Sequence, residues 1–178
     1  MTVRSGLIPI ATCSKKNFEL VKSYGAEGVF DYSSPSCTAE IKAYTKNSLK
    51  YVLDCISEPE TMQFCYACIG RAGGKYTGLE PFPKSLDNRK TVKPDWVLGP
   101  TLLGKPIGWG SPFGREGSTE TREFAVKWFK TAQQLLDEGK LKTHPLKVMP
   151  GGFKGVLEGM DLLRKKQISG QKLVYRVP

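Results

Sequence analysis

A cluster of polar residues, Ser14-Lys15-Lys16-Asn17, lies between an apolar stretch that ends at Cys13 and a predicted helix. It offers a hydroxyl, two ammonium groups and an amide, together with the N–H groups of a helix start. Hydrogen-bond donors and positive charge in this combination suit a phosphate dianion. A solvated loop with an N-cap serine explains the same residues, and the sequence alone leaves both interpretations open.

The residues around this cluster favour one cofactor. A dinucleotide with a free ribose 2′-hydroxyl commonly meets an Asp or Glu after a strand of this kind. Segment 10–17 contains neither residue. If the chain binds a dinucleotide, we therefore expect NADP rather than NAD.

Other predicted strand ends carry further candidates. Tyr32 follows the second strand, where it could lie against an adenine or a ribose, or simply pack at the rim. Leu79 and Glu80 follow a glycine that would let backbone groups approach a cofactor. Asp54 is a lone acid in an apolar strand, which we interpret as a hydrogen-bonded structural carboxylate. No nucleophile-and-base pair, P-loop or metal motif is present, so no catalytic residue and no metal ligand is assigned.

An alternation of strands and helices must position these strand ends. Short apolar runs predict neighbouring strands over residues 7–12, 29–32, 51–56 and 75–79, separated by helices over 17–24, 36–44 and 60–69. This alternation is typical of a parallel sheet covered by helices. The second half predicts a loop over 81–93, an extended stretch over 96–103, a helix capped by Ser118 or Thr119 and stopped by Gly139, an extended stretch over 144–149, a helix over 153–163 and a strand over 173–177.

The composition excludes several function classes. The chain has 178 residues, a formal net charge of +10 and 39% hydrophobic residues, as expected for one globular domain. Its basic residues are spread along the chain rather than clustered, so we expect no nucleic-acid partner. No apolar run approaches the roughly 20 residues of a membrane span, and the first ten residues are too weakly apolar for a signal peptide. We therefore expect a cytoplasmic protein without a membrane partner.

Five cysteines, an odd number without a secretion signal, indicate reduced thiols. Cys65 and Cys68 are spaced as a redox pair or half a zinc site would be. Their segment, however, has the composition of a buried helix, no second cysteine pair exists, and the single histidine, His144, is distant in sequence. We predict that both cysteines are buried, reduced and metal-free.

Three segments resemble the medium-chain dehydrogenase/reductase superfamily: Ile10-Ala-Thr-Cys-Ser-Lys-Lys-Asn17, Gly25-Ala-Glu-Gly-Val-Phe-Asp-Tyr32 and Leu53-Asp-Cys-Ile-Ser57. Three more resemble, within it, the zinc-independent trans-acting enoyl reductases of fungal polyketide synthases: Gly70-Arg-Ala-Gly-Gly-Lys-Tyr76, Leu98-Gly-Pro-Thr-Leu-Leu-Gly104 and Ile168-Ser-Gly-Gln-Lys-Leu-Val174. The resemblance covers nearly the whole chain.

The resemblance implies an α/β fold, a Rossmann-like parallel sheet with helices on both faces. Members of the family carry an N-terminal GroES-like barrel and then a first strand with a glycine-rich turn, and this sequence contains neither. We therefore expect an N-terminally truncated member. Residues 1–150 would be a partial Rossmann-like NADP-binding domain, and residues 151–178 a helix and strand of the missing catalytic domain.

The resemblance also assigns residues to sites. Nine would bind NADP: Ser14, Lys15, Lys16 and Asn17 at the 2′-phosphate, Tyr32 as a further contact, Leu79 and Glu80 through the backbone near the nicotinamide, and Ser169 and Gly170 as a late contact. Five would line the substrate pocket, in a stretch that also helps dimers form: Gly99, Pro100, Thr101, Leu102 and Leu103.

The implied activity is the NADPH-dependent reduction of the C=C bond of an enoyl thioester, carried by a polyketide synthase carrier domain, by a monomer or a dimer. Two alternatives stay open. One is a non-catalytic truncated paralogue that acts as an interaction partner. The other is a quinone or alcohol reductase of the same superfamily.

Overall fold

The computed structural model of the protein describes residues 6–177. Residues 1–5, which are part of the stretch too weakly apolar for a signal peptide, and residue 178 lie outside the described residues. The described strands are β1 Ile10–Cys13, β2 Gly28–Asp31, β3 Tyr51–Asp54, β4 Gly74–Gly78, β5 Val92–Trp96, β6 Leu146–Met149 and β7 Lys172–Tyr175. The α-helices are α1 Phe18–Ser23, α2 Cys37–Tyr44, α3 Pro59–Cys68, α4 Thr119–Asp137 and α5 Gly152–Arg164. Short 3-10 helices cover Lys15–Asn17, Lys84–Leu86 and Gly99–Leu103.

The chain divides into two compact units. The first unit comprises the residues up to Val29 together with those from Gln134 onwards, and the second unit comprises Phe30–Gln133. These compact units do not test the predicted division into a cofactor-binding part, residues 1–150, and a part of a catalytic domain, residues 151–178, which stays a prediction.

The strands form three groups in the described part of the chain. β1 pairs with β2, β3 pairs with β4 and β4 with β5, and β6 pairs with β7. The β3–β4, β4–β5 and β6–β7 pairs are parallel. The predicted α/β class with parallel strands is confirmed. The expectation that the first four strands are all neighbours is wrong, because β2 and β3 are not hydrogen-bonded to each other.

The core of the second unit lies between α3 and the β3–β4–β5 sheet. Pro59 is the first residue of α3, a position where its missing N–H is not needed. The buried cluster consists of Met62, Cys65, Tyr66, Ile69, Tyr76 and Val92. The rings of Tyr66 and Tyr76 meet edge to face with centroids 5.6 Å apart, a favoured aromatic geometry. The predicted helix over 60–69 and the predicted burial of Cys65 and Cys68 are both confirmed.

The end of the β3–β4–β5 sheet differs from the prediction. β5 occupies Val92–Trp96, so it begins inside the predicted loop over 81–93 and ends at the first residue of the extended stretch predicted over 96–103. The segment Gly99–Leu103, predicted as extended, is a 3-10 helix. Pro100 suits a first helical turn, and Gly104, with φ of +73°, ends it in the left-handed region. β5 therefore ends at Trp96, before this 3-10 helix, and no strand continues to residue 103.

A β–α–β module, β6–α5–β7, ends the first unit. Gly155 and Gly159 of α5 face the ring of Tyr175 on β7, and a Cβ at either glycine would crowd that ring. The opposite face of α5 is also apolar, and its Phe153 and Leu157 are 68% and 69% exposed. α5 is therefore apolar on two faces, of which only one is covered among residues 6–177.

α4 is a long helix, as predicted, with an apolar face that is largely exposed. Of that face only Ala125 is fully buried, while Phe124 and Phe129 are exposed. The rings of Phe124 and Trp128 stack at 6.5 Å. Neither α4 nor any other helix within residues 6–177 combines the length and apolarity needed to span a bilayer.

Candidate functional site

The first unit brings together four of the predicted cofactor residues. Ser14 follows β1, and Asn17 closes the 3-10 turn through its N–H, which donates to the Ser14 carbonyl at 2.9 Å. The Asn17 amide Nδ2 donates to the Ser14 hydroxyl at 3.3 Å and to the Ser169 hydroxyl at 3.0 Å. Ser169 lies 152 residues further along the chain, so the fold creates this cluster.

Gly170 makes the close approach possible. Its φ of +66° lies in the left-handed region that favours glycine, and a Cβ there would lie 3.0 Å from the Asn17 side-chain oxygen. A larger residue at 170 would press against Asn17 and Leu20. The backbone at Gly170 can therefore lie close to Asn17, next to the Ser169 hydroxyl.

The direction of these hydrogen bonds determines what the cluster can bind. Asn17 is the donor in both, so the Ser14 and Ser169 hydroxyl groups are acceptors. Among the described residues 6–177 neither serine hydroxyl donates a hydrogen bond, and each keeps its proton for a ligand. Two hydroxyl donors held by one amide suit an anionic oxygen acceptor.

The charge around the cluster points to the same ligand class. Lys15 and Lys16 are exposed, and the segment from β1 to Asn17 holds no carboxylate. Ser14 makes no side-chain capping hydrogen bond to the following backbone, so the N-cap interpretation does not describe its hydroxyl. The donors and charge that a phosphate monoester needs are therefore present in the first unit.

The second unit carries a separate group of predicted residues at the carboxyl ends of its strands. Because β3, β4 and β5 are parallel, the residues that follow them lie at one edge of the sheet. Leu79 and Glu80 follow β4 and are exposed, and the Gly99–Leu103 segment follows β5. The structure thus places these two predicted groups at the same edge. Tyr32, which follows β2, is 60% exposed.

Asp54 is the buried acid at this edge, and its hydrogen bonds explain its burial. The carboxylate is 4% exposed and accepts four hydrogen bonds. Oδ1 accepts from the N–H groups of Ile56 and Ser57, and Oδ2 accepts from Thr61 Oγ1 at 2.8 Å and Tyr76 Oη at 3.0 Å. All its lone-pair sites are used, which confirms the interpretation as a structural carboxylate rather than a general base.

Ionisation at this edge is suppressed rather than promoted. Burial, together with the hydrogen bond to Asp54, raises the pKa of the Tyr76 hydroxyl above its ordinary value of 10.0. Burial and the Asp54 charge also raise the pKa of the Cys55 thiol above 9.0. Neither group is thereby activated as a nucleophile or base near neutral pH. Within residues 6–177, no three His, Cys, Asp or Glu side chains come together as metal ligands would.

The predicted substrate segment is well defined locally. Thr101 uses its hydroxyl within the turn, donating to the Leu98 carbonyl at 2.6 Å. Leu103 is 62% exposed and presents an apolar side chain. Of this segment, Leu103 therefore offers apolar contact, while the Thr101 hydroxyl is committed to the turn.

A cavity of about 550 Å³ on the second unit lies away from these residues. It opens at the C-terminal end of α3 and is lined in part by Lys42, Arg71 and Arg89. Arg89 donates to three backbone carbonyls there, including those of Ile69 and Gly70. Its guanidinium is thus occupied, and the negative end of a helix disfavours an anion. The cavity is a structural feature of the helix end and contains none of the predicted site residues.

Two residues of the strand edge were not among the predicted contacts. Thr61 donates a hydrogen bond to the Asp54 carboxylate, and the Ser57 hydroxyl accepts one from the N–H of Leu79, the first residue after β4. Ser57 lies in the quoted motif Leu53-Asp-Cys-Ile-Ser57, yet its left-handed backbone, with φ of +62°, gives no signal in the sequence.

Comparison with known proteins identifies the relatives of the chain. Residues 3–80 match the family model of zinc-binding dehydrogenases. Over 174 residues the chain is 71% identical to the trans-enoyl reductase FSL5 of Gibberella zeae, covering 98% of this chain and 48% of that protein. Over 173 residues it is 52% identical to lovC of Aspergillus terreus, the enoyl reductase component of lovastatin nonaketide synthase, covering 97% and 48%.

The fold is similar to that of known enoyl reductases. The crystal structure of the CurK enoyl reductase matches with a TM-score of 0.73 at 17% identity, covering 99% of this chain and 49% of that one. The chain thus spans about half the length of the curated relatives it matches. Its relation to dehydrogenases and enoyl reductases implies a nicotinamide cofactor.

Proposed function

We propose that this chain, a homologue of the fungal trans-enoyl reductases over nearly its whole length, forms the NADPH-binding part of an oxidoreductase that reduces enoyl thioesters in polyketide biosynthesis. The 71% identity to FSL5 supports the enzyme class. The observation that carries the cofactor assignment is the Asn17 cluster, formed by Ser14, Asn17 and Ser169, in which the Asn17 amide donates to both serine hydroxyls.

NADP is the proposed dinucleotide because the cluster suits a 2′-phosphate. Ser14 and Ser169 would donate to phosphate oxygens, and Lys15 and Lys16 would supply positive charge. A bare 2′-hydroxyl would instead need an acceptor, and no Asp or Glu follows β1 before Asn17. The resemblance assigns Tyr32 to a further cofactor contact and the Leu79–Glu80 backbone to the nicotinamide end.

The cofactor, when bound, supplies a hydride for the β-carbon of the conjugated double bond, and a proton at the α-carbon completes the reduction. The residues of this chain bind and orient the reactants. Leu103, which follows β5 at the same sheet edge as Leu79 and Glu80 follow β4, would contact the apolar acyl chain. We assign no residue of this chain as the proton donor.

The substrate is proposed to be carried by a polyketide synthase. Relatives such as lovC are components that serve a synthase, and this chain would act in the same way. The acyl group would then be a thioester on a carrier domain. The chain's residues would contact the acyl part at the Gly99–Leu103 segment.

Cofactor titration tests the central assignment. We expect the purified chain to bind NADPH more tightly than NADH, and the K15A/K16A variant to lose about 10-fold or more of its NADPH affinity with little change for NADH. A charge-assisted contact contributes about 1.5–3 kcal/mol in a protected site, and exposure reduces that value. Asn17→Ala should weaken NADPH binding selectively as well, because both serine hydroxyls lose their orientation.

A second lysine pair in the same unit provides the matched control. K165A/K166A removes the same charge just after α5 and should leave both affinities nearly unchanged. Equal losses in the two double variants would mean that the lysines act only through general attraction. Equal affinity of the unmodified chain for NADPH and NADH would refute the NADP assignment.

The substrate class can be tested by following NADPH oxidation. An enoyl thioester of pantetheine should be reduced, whereas a quinone and an aldehyde should not. Oxidation of NADPH by the quinone or the aldehyde alone would instead favour the quinone or alcohol reductase alternative.

A further inference from the structure

The chain that leaves β4 begins with a peptide group held on both sides. The Gly78 carbonyl accepts a hydrogen bond from the Val97 N–H at 3.0 Å. The N–H of the same peptide, which belongs to Leu79, donates to the Ser57 hydroxyl at 2.7 Å. The orientation of the Gly78–Leu79 peptide is therefore fixed, and the exposed segment that follows starts in a defined direction.

Ser57 is itself tightly held. Its N–H donates to Asp54 Oδ1 at 2.9 Å and its hydroxyl donates to the Asp54 carbonyl at 3.0 Å. Its φ of +62° is uncommon for a residue with a side chain. The hydroxyl thus acts as a donor toward β3 and as an acceptor toward Leu79, and it links the ends of β3 and β4.

The anchor of this link is buried. The Asp54 carboxylate is held in turn by Thr61 and Tyr76, as described above. Gly78 permits the close approach, because a Cβ at that position would lie 3.2 Å from both the Ser57 hydroxyl and the Glu80 carbonyl oxygen. The contact between Ser57 and Leu79 therefore depends on a glycine and on a rigid, buried support.

We propose that Ser57 is a positioning residue for the nicotinamide end of the cofactor, acting through the Leu79–Glu80 segment. This inference rests on the proposed function, which places that segment beside the nicotinamide. Ligands of parallel sheets bind beyond the carboxyl ends of the strands, where Ser57 lies. Ser57 does not touch the ligand. It fixes the backbone that does.

A pair of ligands separates this role from simple structural support. NADPH carries the nicotinamide, whereas adenosine 2′,5′-bisphosphate carries only the end that the Asn17 cluster would bind. We expect Ser57→Ala to weaken NADPH binding by about 3- to 10-fold, the value of one net hydrogen bond, and to change the bisphosphate affinity less than 2-fold. Calorimetric titration of the 178-residue chain measures both.

Two variants complete the design. Ser57→Gly relieves the left-handed backbone but also removes the hydroxyl, so it should lose NADPH affinity as Ser57→Ala does. Ser48→Ala removes a hydroxyl of the same unit that donates only to the Thr45 carbonyl, and it should bind both ligands normally. Normal NADPH binding by Ser57→Gly, or equal loss of both ligands in Ser57→Ala, would overturn the inference.

The unmodified chain provides the distinction from the proposed function. If it binds neither ligand, the proposed cofactor site itself is wrong. If it binds the bisphosphate as tightly as NADPH, the nicotinamide makes no contact and only the role of Ser57 is refuted.

Discussion

Replacing Tyr76 by phenylalanine removes a hydroxyl from a side chain with 0% exposure. That hydroxyl donates at 3.0 Å to the Asp54 carboxylate, which is buried as well. A hydrogen bond to a charged group contributes about 1.5–3 kcal/mol net. We therefore expect Tyr76→Phe to lower the free energy of unfolding of the second unit by about 2 kcal/mol.

A double-mutant cycle isolates this bond from other effects of the substitution. Asp54→Asn keeps the shape of the side chain but removes its charge and one acceptor oxygen. In that background Tyr76→Phe should cost only about 0.5–1 kcal/mol, since the remaining bond joins two neutral groups. The coupling free energy should therefore be about 1–1.5 kcal/mol.

Urea denaturation followed by tryptophan fluorescence measures the cycle. All three tryptophans, Trp96, Trp109 and Trp128, lie in the second unit, so the signal reports that unit. Tyr66→Phe serves as the control, because its hydroxyl donates to Asp87, an exposed carboxylate. It should cost less than Tyr76→Phe. Additive costs of Tyr76→Phe and Asp54→Asn, to within about 0.5 kcal/mol, would refute the reasoning.

Three further outcomes are expected. Arg89→Ala removes the donors that hold three backbone carbonyls at the end of α3, so it should lower the free energy of unfolding of the second unit by about 2–3 kcal/mol in urea denaturation. Arg89→Lys should have an intermediate effect, and an unchanged free energy of unfolding in Arg89→Ala would contradict this. Cys55, which is exposed, should react with a thiol reagent much faster than Cys65, whose pKa burial raises to about 12, and Cys55→Ser should remove the fast phase. Burial raises the pKa values of Tyr66 and Tyr76 above 10.0 in the folded chain, so their contribution to the free energy of unfolding is fully present below about pH 10 and is lost as the pH rises further. Urea denaturation midpoints that stay unchanged well above pH 10 would argue against this.

The sequence predicted the elements with clear apolar composition or a clear boundary signal and missed one with polar positions. The helix that became α3 was predicted from Pro59 and the apolar composition of the residues after it, and the strand that became β4 from the glycine pair that precedes it. β5 was missed because Val92-Lys-Pro-Asp-Trp96 alternates between buried and exposed positions and contains a proline. Such a proline is tolerated at the edge of a sheet, and β5 is the outer strand of its group. The resemblance to the enoyl reductases is confirmed by the relatives, whereas the individual site residues stay predictions.

The candidate site shows a different limit of prediction. Ser14 to Asn17 were identifiable because their types and their place after a strand suggest a phosphate. The hydrogen bond between Asn17 and Ser169 was not, because it joins segments 152 residues apart. The role of Ser57 depends on a left-handed backbone angle, and a serine gives no local sign of that angle. Local chemistry is therefore readable from the sequence, while the partners that orient it come from tertiary structure.

The contact between Gly159 and Tyr175 restricts how this part of the molecule can evolve. A methyl group at 159 would overlap the Tyr175 hydroxyl and would lie 2.9 Å from its Cζ atom. That hydroxyl is buried and has no hydrogen-bond partner among residues 6–177, so its loss costs little. A lineage can therefore shorten residue 175 first and enlarge residue 159 afterwards, whereas the reverse order passes through a disrupted module. The two positions should covary, with glycine at 159 retained wherever 175 is a tyrosine.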